Sequence, residues 1–169
     1  MTSGPVTIML LFEQHNGSQS MLSTESLAAQ YIRGKGCRPS SEEYSAFVNW
    51  VLLRFSRIQD RVDFTEQEVS PELMQTHWRL YARLLVSTAH NVHPHWLPSI
   101  NARFRAIHDW DHIKGGFGYD MSGEACAAGY AMATAPRSIR WILWSEITLQ
   151  AAAAIHTGEF QRQKLVKVA

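Results

Sequence analysis

Between Tyr44 and Phe55 the side chains of Tyr44, Phe47, Val48, Val51, Leu52 and Phe55 recur at spacings of three and four, which places them on one face of an α-helix. The same period returns over Leu73, His77, Leu80, Tyr81, Leu84 and Leu85, and again over Ile139, Ile142, Leu143, Leu149 and Ala153. No stretch alternates convincingly with a period of two. A chain written this way must bury helical stripes against one another. The expectation is an all-α fold, a compact bundle of about six helices with a short extended N-terminal arm.

Punctuation sets the expected boundaries. Residues 1–20 carry the apolar run Val6–Phe12 and then Glu13–Ser18, and read as the arm; residues 21–169 read as one helical domain. From Ser23 a first helix runs until Gly34-Lys35-Gly36, and Pro39–Glu43 starts the second. Ser70-Pro71-Glu72 opens a third that continues towards His90, and Pro94 and Pro98 enforce a loop. Ser99 is the expected N-cap of a helix to Ile113, ended by Gly115-Gly116. Asp120 or Ser122 caps the next, whose Ala, Gly, Met and Cys content allows close approach, and Pro136 closes it. A last helix runs from Arg137 to about Thr157.

Composition narrows the function classes. With 169 residues and 46% hydrophobic content the chain can build one core without disulfides. The formal charge of +1 gives no global field towards nucleic acid or an acidic membrane, so ionic binding has to be local. Cys37 and Cys126 read as reduced thiols, and Val6–Phe12 is too short to span a bilayer and lacks the flanks of a signal peptide. The expectation is a cytoplasmic protein with a small-molecule substrate, no nucleic-acid or membrane partner, and freedom to form a homo-oligomer.

The chemistry concentrates in His108-Asp109-Trp110-Asp111-His112, followed by Gly115-Gly116-Phe117-Gly118 and Glu124. On a helix His108 and His112 share one face about one turn apart, the geometry for two imidazoles on one ion. Asp109 is three residues before His112, and Arg105 four before Asp109, where it can pair with a carboxylate or an anionic substrate. The glycine turn is short enough to bring Glu124 back towards His112. Glu146 falls inside an apolar stripe, where an unpaired carboxylate costs several kcal/mol, so it needs a partner. His108 and His112 are the expected suppliers, with Arg140, Arg103 or Arg105 as the structural alternative.

Other histidines weigh less. In the loop from Ala89 to His95 prolines break any regular ligand face, which leaves His90, at a helix end, and His77, on an apolar face, as further ligand candidates. His156 reads as a cation at a helix C-terminus. Trp78, Trp110, Trp141 and Trp144 read as core, with one free to wall a pocket.

The pattern of Phe-Arg-x-x-His-Asp-x-x-His at 104–112, Gly-Glu at 123–124, Ser-Glu-x-x-x-Gln at 145–150 and Gly-Glu-Phe-x-x-Gln-Lys at 158–164 resembles a group of small uncharacterised bacterial and phage proteins. A partial resemblance also links it to the HD-type phosphohydrolases, all-helical enzymes that bind a divalent metal. That resemblance implies His108-Asp109 as the paired ligands, His77 or His90 as the upstream one, and Glu146 in place of the final Asp. His112 sits where some nucleotide-cleaving members carry a catalytic Glu.

The resulting expectation is a metal-dependent hydrolase acting on a nucleotide or other phosphorylated small molecule. His108, His112 and Glu146 are the core ligands of zinc, manganese or iron, Asp109 and Glu124 serve as ligand or general base, and Arg105 neutralises phosphate charge. Two alternatives stand beside it: a non-haem iron oxygenase of helical-bundle type, and a non-catalytic phage or bacterial accessory binding protein.

Overall fold

Four helices begin on a side-chain cap that the sequence supplies. Ser23 accepts from the Ser26 amide at the start of α1 (Thr24–Arg33), and Ser40 and Glu43 form a capping box at α2 (Ser41–Phe55). Ser70 caps α3 (Pro71–Tyr81), with Pro71 in its first turn, and Asp120 caps α5 (Met121–Thr134). The intervening α4 (Pro98–Gly115) has no side-chain cap; Pro98 opens it one residue before the expected Ser99. The computed structural model describes residues 23–168, so the expected arm over 1–20 lies outside the described residues.

The main core forms where α2 crosses α4. Phe47, Trp50 and Val51 of α2 meet Phe104 of α4 and Trp96, whose ring stacks 4.3 Å from that of Phe47. Ile139, Ile142 and Leu143 close the core from the last helical stretch. A smaller cluster joins Leu27, Ala28 and Tyr31 of α1 to Leu149, Ala152 and Ala153 near the C-terminal end. Each fully buried Val, Leu, Ile or Phe among them contributes about 1.5–3 kcal/mol.

Two segments depart from the helical expectation. Val62–Thr65 (β1) and Leu84–Ser87 (β2) pair as a two-stranded parallel sheet, with α3 as the crossover. Helix α3 therefore does not continue towards His90. It stops at Ala82, which takes the left-handed conformation at φ 51° and gives its amide to Trp78 O. Leu84 and Val86 are buried as strand residues. Arg83 holds the sheet edge through its bonds to Asp63, one of 2.6 Å.

The last helical stretch also changes character along its length. After a single 3-10 turn come α6 (Arg140–Leu143), a π-helical turn (Trp144–Leu149) and α7 (Gln150–Thr157), ended by Gly158 at φ 75°. Every residue from Ser145 to Leu149 is buried. Among the described residues no helix is long and apolar enough to cross a membrane.

One ion pair bolts α2 to α4. Arg54 grips Asp111 through two bonds of 2.7 and 2.8 Å, and Asp111 is only 2% exposed. Removing the cation leaves a buried charge without compensation. Arg54→Ala is therefore expected to cost about 3–5 kcal/mol in urea unfolding, while replacing both partners with apolar residues of similar size recovers most of it.

A candidate metal centre between α4 and α5

The site is built by a chain reversal. Helix α4 ends at Gly116, whose φ of 64° suits glycine, and its last turn leaves His112 one turn from His108. Asp120 then caps α5 by accepting from the Gly123 amide at 2.8 Å. Gly123 lies so close to Gly118 that an added Cβ would overlap the Gly118 carbonyl oxygen. That approach holds the first turn of α5 against the loop, and Glu124 follows immediately. A carboxylate there is also favoured by the positive end of the helix.

The expected return of Glu124 towards His112 is what the structure shows. Glu124 Oε2 lies 3.4 Å from His108 Nε2, and its Oε1 lies 3.5 Å from His112 Nε2. Charge-assisted hydrogen bonds are shorter, about 2.7–2.9 Å. Donors arranged tetrahedrally around zinc at about 2.0–2.1 Å stand about 3.4 Å apart, so each separation is of the length found between metal donors, with a different carboxylate oxygen facing each imidazole. Among the described residues His108, His112 and Glu124 form the group whose ligand atoms all lie within 4.8 Å of one another.

His112 Nδ1 donates to the Phe117 carbonyl at 3.3 Å, which in the neutral ring leaves the lone pair on Nε2; that atom is buried and has no hydrogen-bond partner. A ligating histidine is oriented in this way, with its far nitrogen fixed by a backbone carbonyl. Tyr119 stacks on the His112 ring at 4.4 Å and 10°, and its hydroxyl reaches Met74 Sδ. The rings of His108 and His112 meet edge to face at 4.6 Å.

Charge at the site is tightly coupled. Burial would raise the Glu124 carboxyl, but His108 and His112 outweigh it and bring it down to about 2. Burial opposes protonation of His108, yet Glu124 and then Asp109 overcome that and push it up. Asp109, the next residue on α4, is pushed up by burial against the pull of His108, Arg105 and His112. Burial, with the charges of Asp109 and Glu124, likewise raises the Tyr119 hydroxyl. A cleft of about 330 Å³ opens beside His112, walled by Trp78, Phe117 and Tyr119, with Arg79 at its edge.

Glu146 does not join this group, which corrects the expectation that it ligates with His108 and His112. Its Oε1 accepts from His93 Nε2 at 3.2 Å, with both side chains almost wholly buried. His93 Nδ1 accepts the His95 amide at 3.1 Å, so the ring proton sits on Nε2 and points at the carboxylate. His93 was missed because its loop has no helical period; its neighbour Trp96, stacked on it at 5.1 Å, was the available signal of burial. Arg105 donates to Ala89 O at 3.0 Å, and the cleft beside His112 is edged by Arg79 instead. His77 bonds Arg83 O at 2.9 Å, His90 is exposed, and His156 sits exposed in the last turn of α7.

The depressed Glu124 pKa has a defined sign. A carboxyl lowered on folding from its ordinary 4.5 to about 2 stabilises the native state above pH 4.5, and that contribution is lost as pH falls from 4.5 towards 2. Its size at neutral pH is about 3 kcal/mol. In chelator-treated protein the Tm advantage of wild type over Glu124→Gln is expected to close across that window, as followed by circular dichroism. A constant difference through the window would refute the coupling. No protein-family model, curated protein or solved structure matches the chain, so what the centre can do follows from its own atoms.

Proposed function

We propose that the protein is a metal-dependent hydrolase acting on a phosphorylated small molecule. His108, His112 and Glu124 hold one divalent cation, zinc, manganese or iron, and Asp109 is the general base. The observation that carries this reading is the orphaned, buried Nε2 of His112, with Nδ1 committed to Phe117 O and Glu124 Oε1 3.5 Å away. Imidazole and carboxylate donors suit all three metals.

A cation held there supplies Lewis acidity towards a phosphoryl oxygen and acidifies water. The chain supplies the rest. Asp109 lies beside His108 and has its carboxyl raised by burial, which brings it nearer the range of a working base. Arg105, four residues before Asp109, lowers that carboxyl and so tunes the base. Arg79, which lines the cleft beside His112, is placed to meet substrate charge, and Trp78 and Tyr119 supply aromatic walls.

Two histidines and one carboxylate also make the donor set of mononuclear non-haem iron oxygenases, and this keeps the oxygenase as the second reading. Metal analysis of untagged protein incubated with zinc, manganese or iron separates the two. About one ion per chain is expected, lost in His108→Ala, His112→Ala and Glu124→Gln and kept in Glu146→Gln. Asp109→Asn should keep the ion while phosphoester hydrolysis falls about 10²–10⁴-fold. Iron-specific loading without phosphoester hydrolysis favours the oxygenase. Absence of stoichiometric metal overturns both and leaves the accessory binding protein.

A further inference from the structure

On the evidence of a second concavity we infer a binding site for a phosphorylated small molecule, built from Arg38, His95, Arg162 and Lys164 and independent of the metal centre. The cleft has a volume of about 490 Å³, within the ordinary range for small-molecule sites, and shares no lining residue with the cleft beside His112. No carboxylate lines it. In a chain of net charge +1, with 15 acidic residues against 16 basic, such segregation of sign is a local feature that the overall composition does not supply.

The polar donors arrive from three separate segments that are fastened to one another. Arg38 follows α1, His95 lies in the loop before α4, and Arg162 and Lys164 belong to the C-terminal tail. The Cys37 amide donates to Leu165 O at 2.9 Å, fastening the first segment to the tail. Tyr31 fastens the tail again, donating to Arg162 O and accepting from the Lys164 amide at 3.2 Å. Burial, with the neighbouring His93 ring and the Arg38 charge, lowers the His95 pKa, so at neutral pH this ring offers a neutral N–H.

Lys164 is the pre-organised charge. Its Nζ donates to Ile32 O at 3.1 Å and to Gly34 O at 2.8 Å, 5.4 Å from the centre of the Tyr31 ring. An ammonium has three N–H donors, and two are spent on neutral carbonyls, so a whole positive charge and one donor remain. Arg38 and Arg162 are exposed and have no ion-pair partner among the described residues. Guanidinium forks match phosphate oxygens in pairs. Three cations in one concavity suit a small ligand better than a nucleic-acid backbone, which would need a longer basic track.

Inorganic pyrophosphate titrated into chelator-treated full-length protein by calorimetry tests the site. One binding event tighter than about 1 mM is expected. Arg38→Gln and Arg162→Gln should each weaken it about tenfold, and Arg57→Gln should leave it unchanged. Both cleft substitutions are on exposed side chains, and Tm confirms folding. No binding, binding insensitive to these substitutions, or tighter binding to single-stranded oligonucleotides of increasing length overturns the proposal. Chelation separates the outcome from that of the metal centre, since loss of binding with the metal would place the anion there instead.

Discussion

The close approach of Gly123 to Gly118 is the constraint on which the cluster of His108, His112 and Glu124 depends. It lets α5 turn back along α4 within a few residues of Gly116, and it fixes the height at which Glu124 meets the two imidazoles. A side chain at Gly123 would push against backbone, which cannot swing aside as a flexible side chain can. The Phe117 carbonyl belongs to the same reversal and sets the His112 tautomer. One turn therefore determines both where the carboxylate stands and which nitrogen faces it.

Three buried carboxylates are handled in three ways. Asp111 receives a bidentate guanidinium, Glu146 a neutral imidazole N–H, and Glu124 two imidazoles at separations too long for strong hydrogen bonds. The first two are closed, since each carboxylate has a directed donor within 3.2 Å. The third is open. Its charge is favoured by the two imidazoles, which hold the Glu124 carboxyl down to about 2, and the buried Nε2 of His112, without a hydrogen-bond partner, is the atom that a cation would engage.

The cluster of His108, His112 and Glu124 was more legible in the sequence than its surroundings. The His108 to His112 spacing and the short glycine turn were enough to anticipate Glu124 beside His112, because both are local facts of one helix and one reversal. Glu146 was legible as a buried acid in need of a partner, but the partner was not. His93 lies in an irregular loop more than fifty residues away, and no periodicity reports a contact of that kind. The strands escaped for a different reason. Each has four residues, and Leu84 continues the α3 period, so only the left-handed turn at Ala82, a conformation not signalled by alanine, separates helix from strand.

The π-helical turn explains how one stretch can be both apolar stripe and polar anchor. A regular helix would turn part of any five consecutive residues towards solvent, whereas Ser145 to Leu149 are all buried. The wider turn lets Ser145 accept the Val166 amide at 2.8 Å while Glu146 reaches His93. The first contact secures the tail that presents Arg162 and Lys164, and the second secures the loop that presents His95. Two walls of the cationic cleft are thus anchored to adjacent residues of one irregular turn. The sequence pattern Ser-Glu-x-x-x-Gln at 145–150 is then tied to the walls of this cleft, and the Gly-Glu at 123–124 to the imidazoles of His108 and His112.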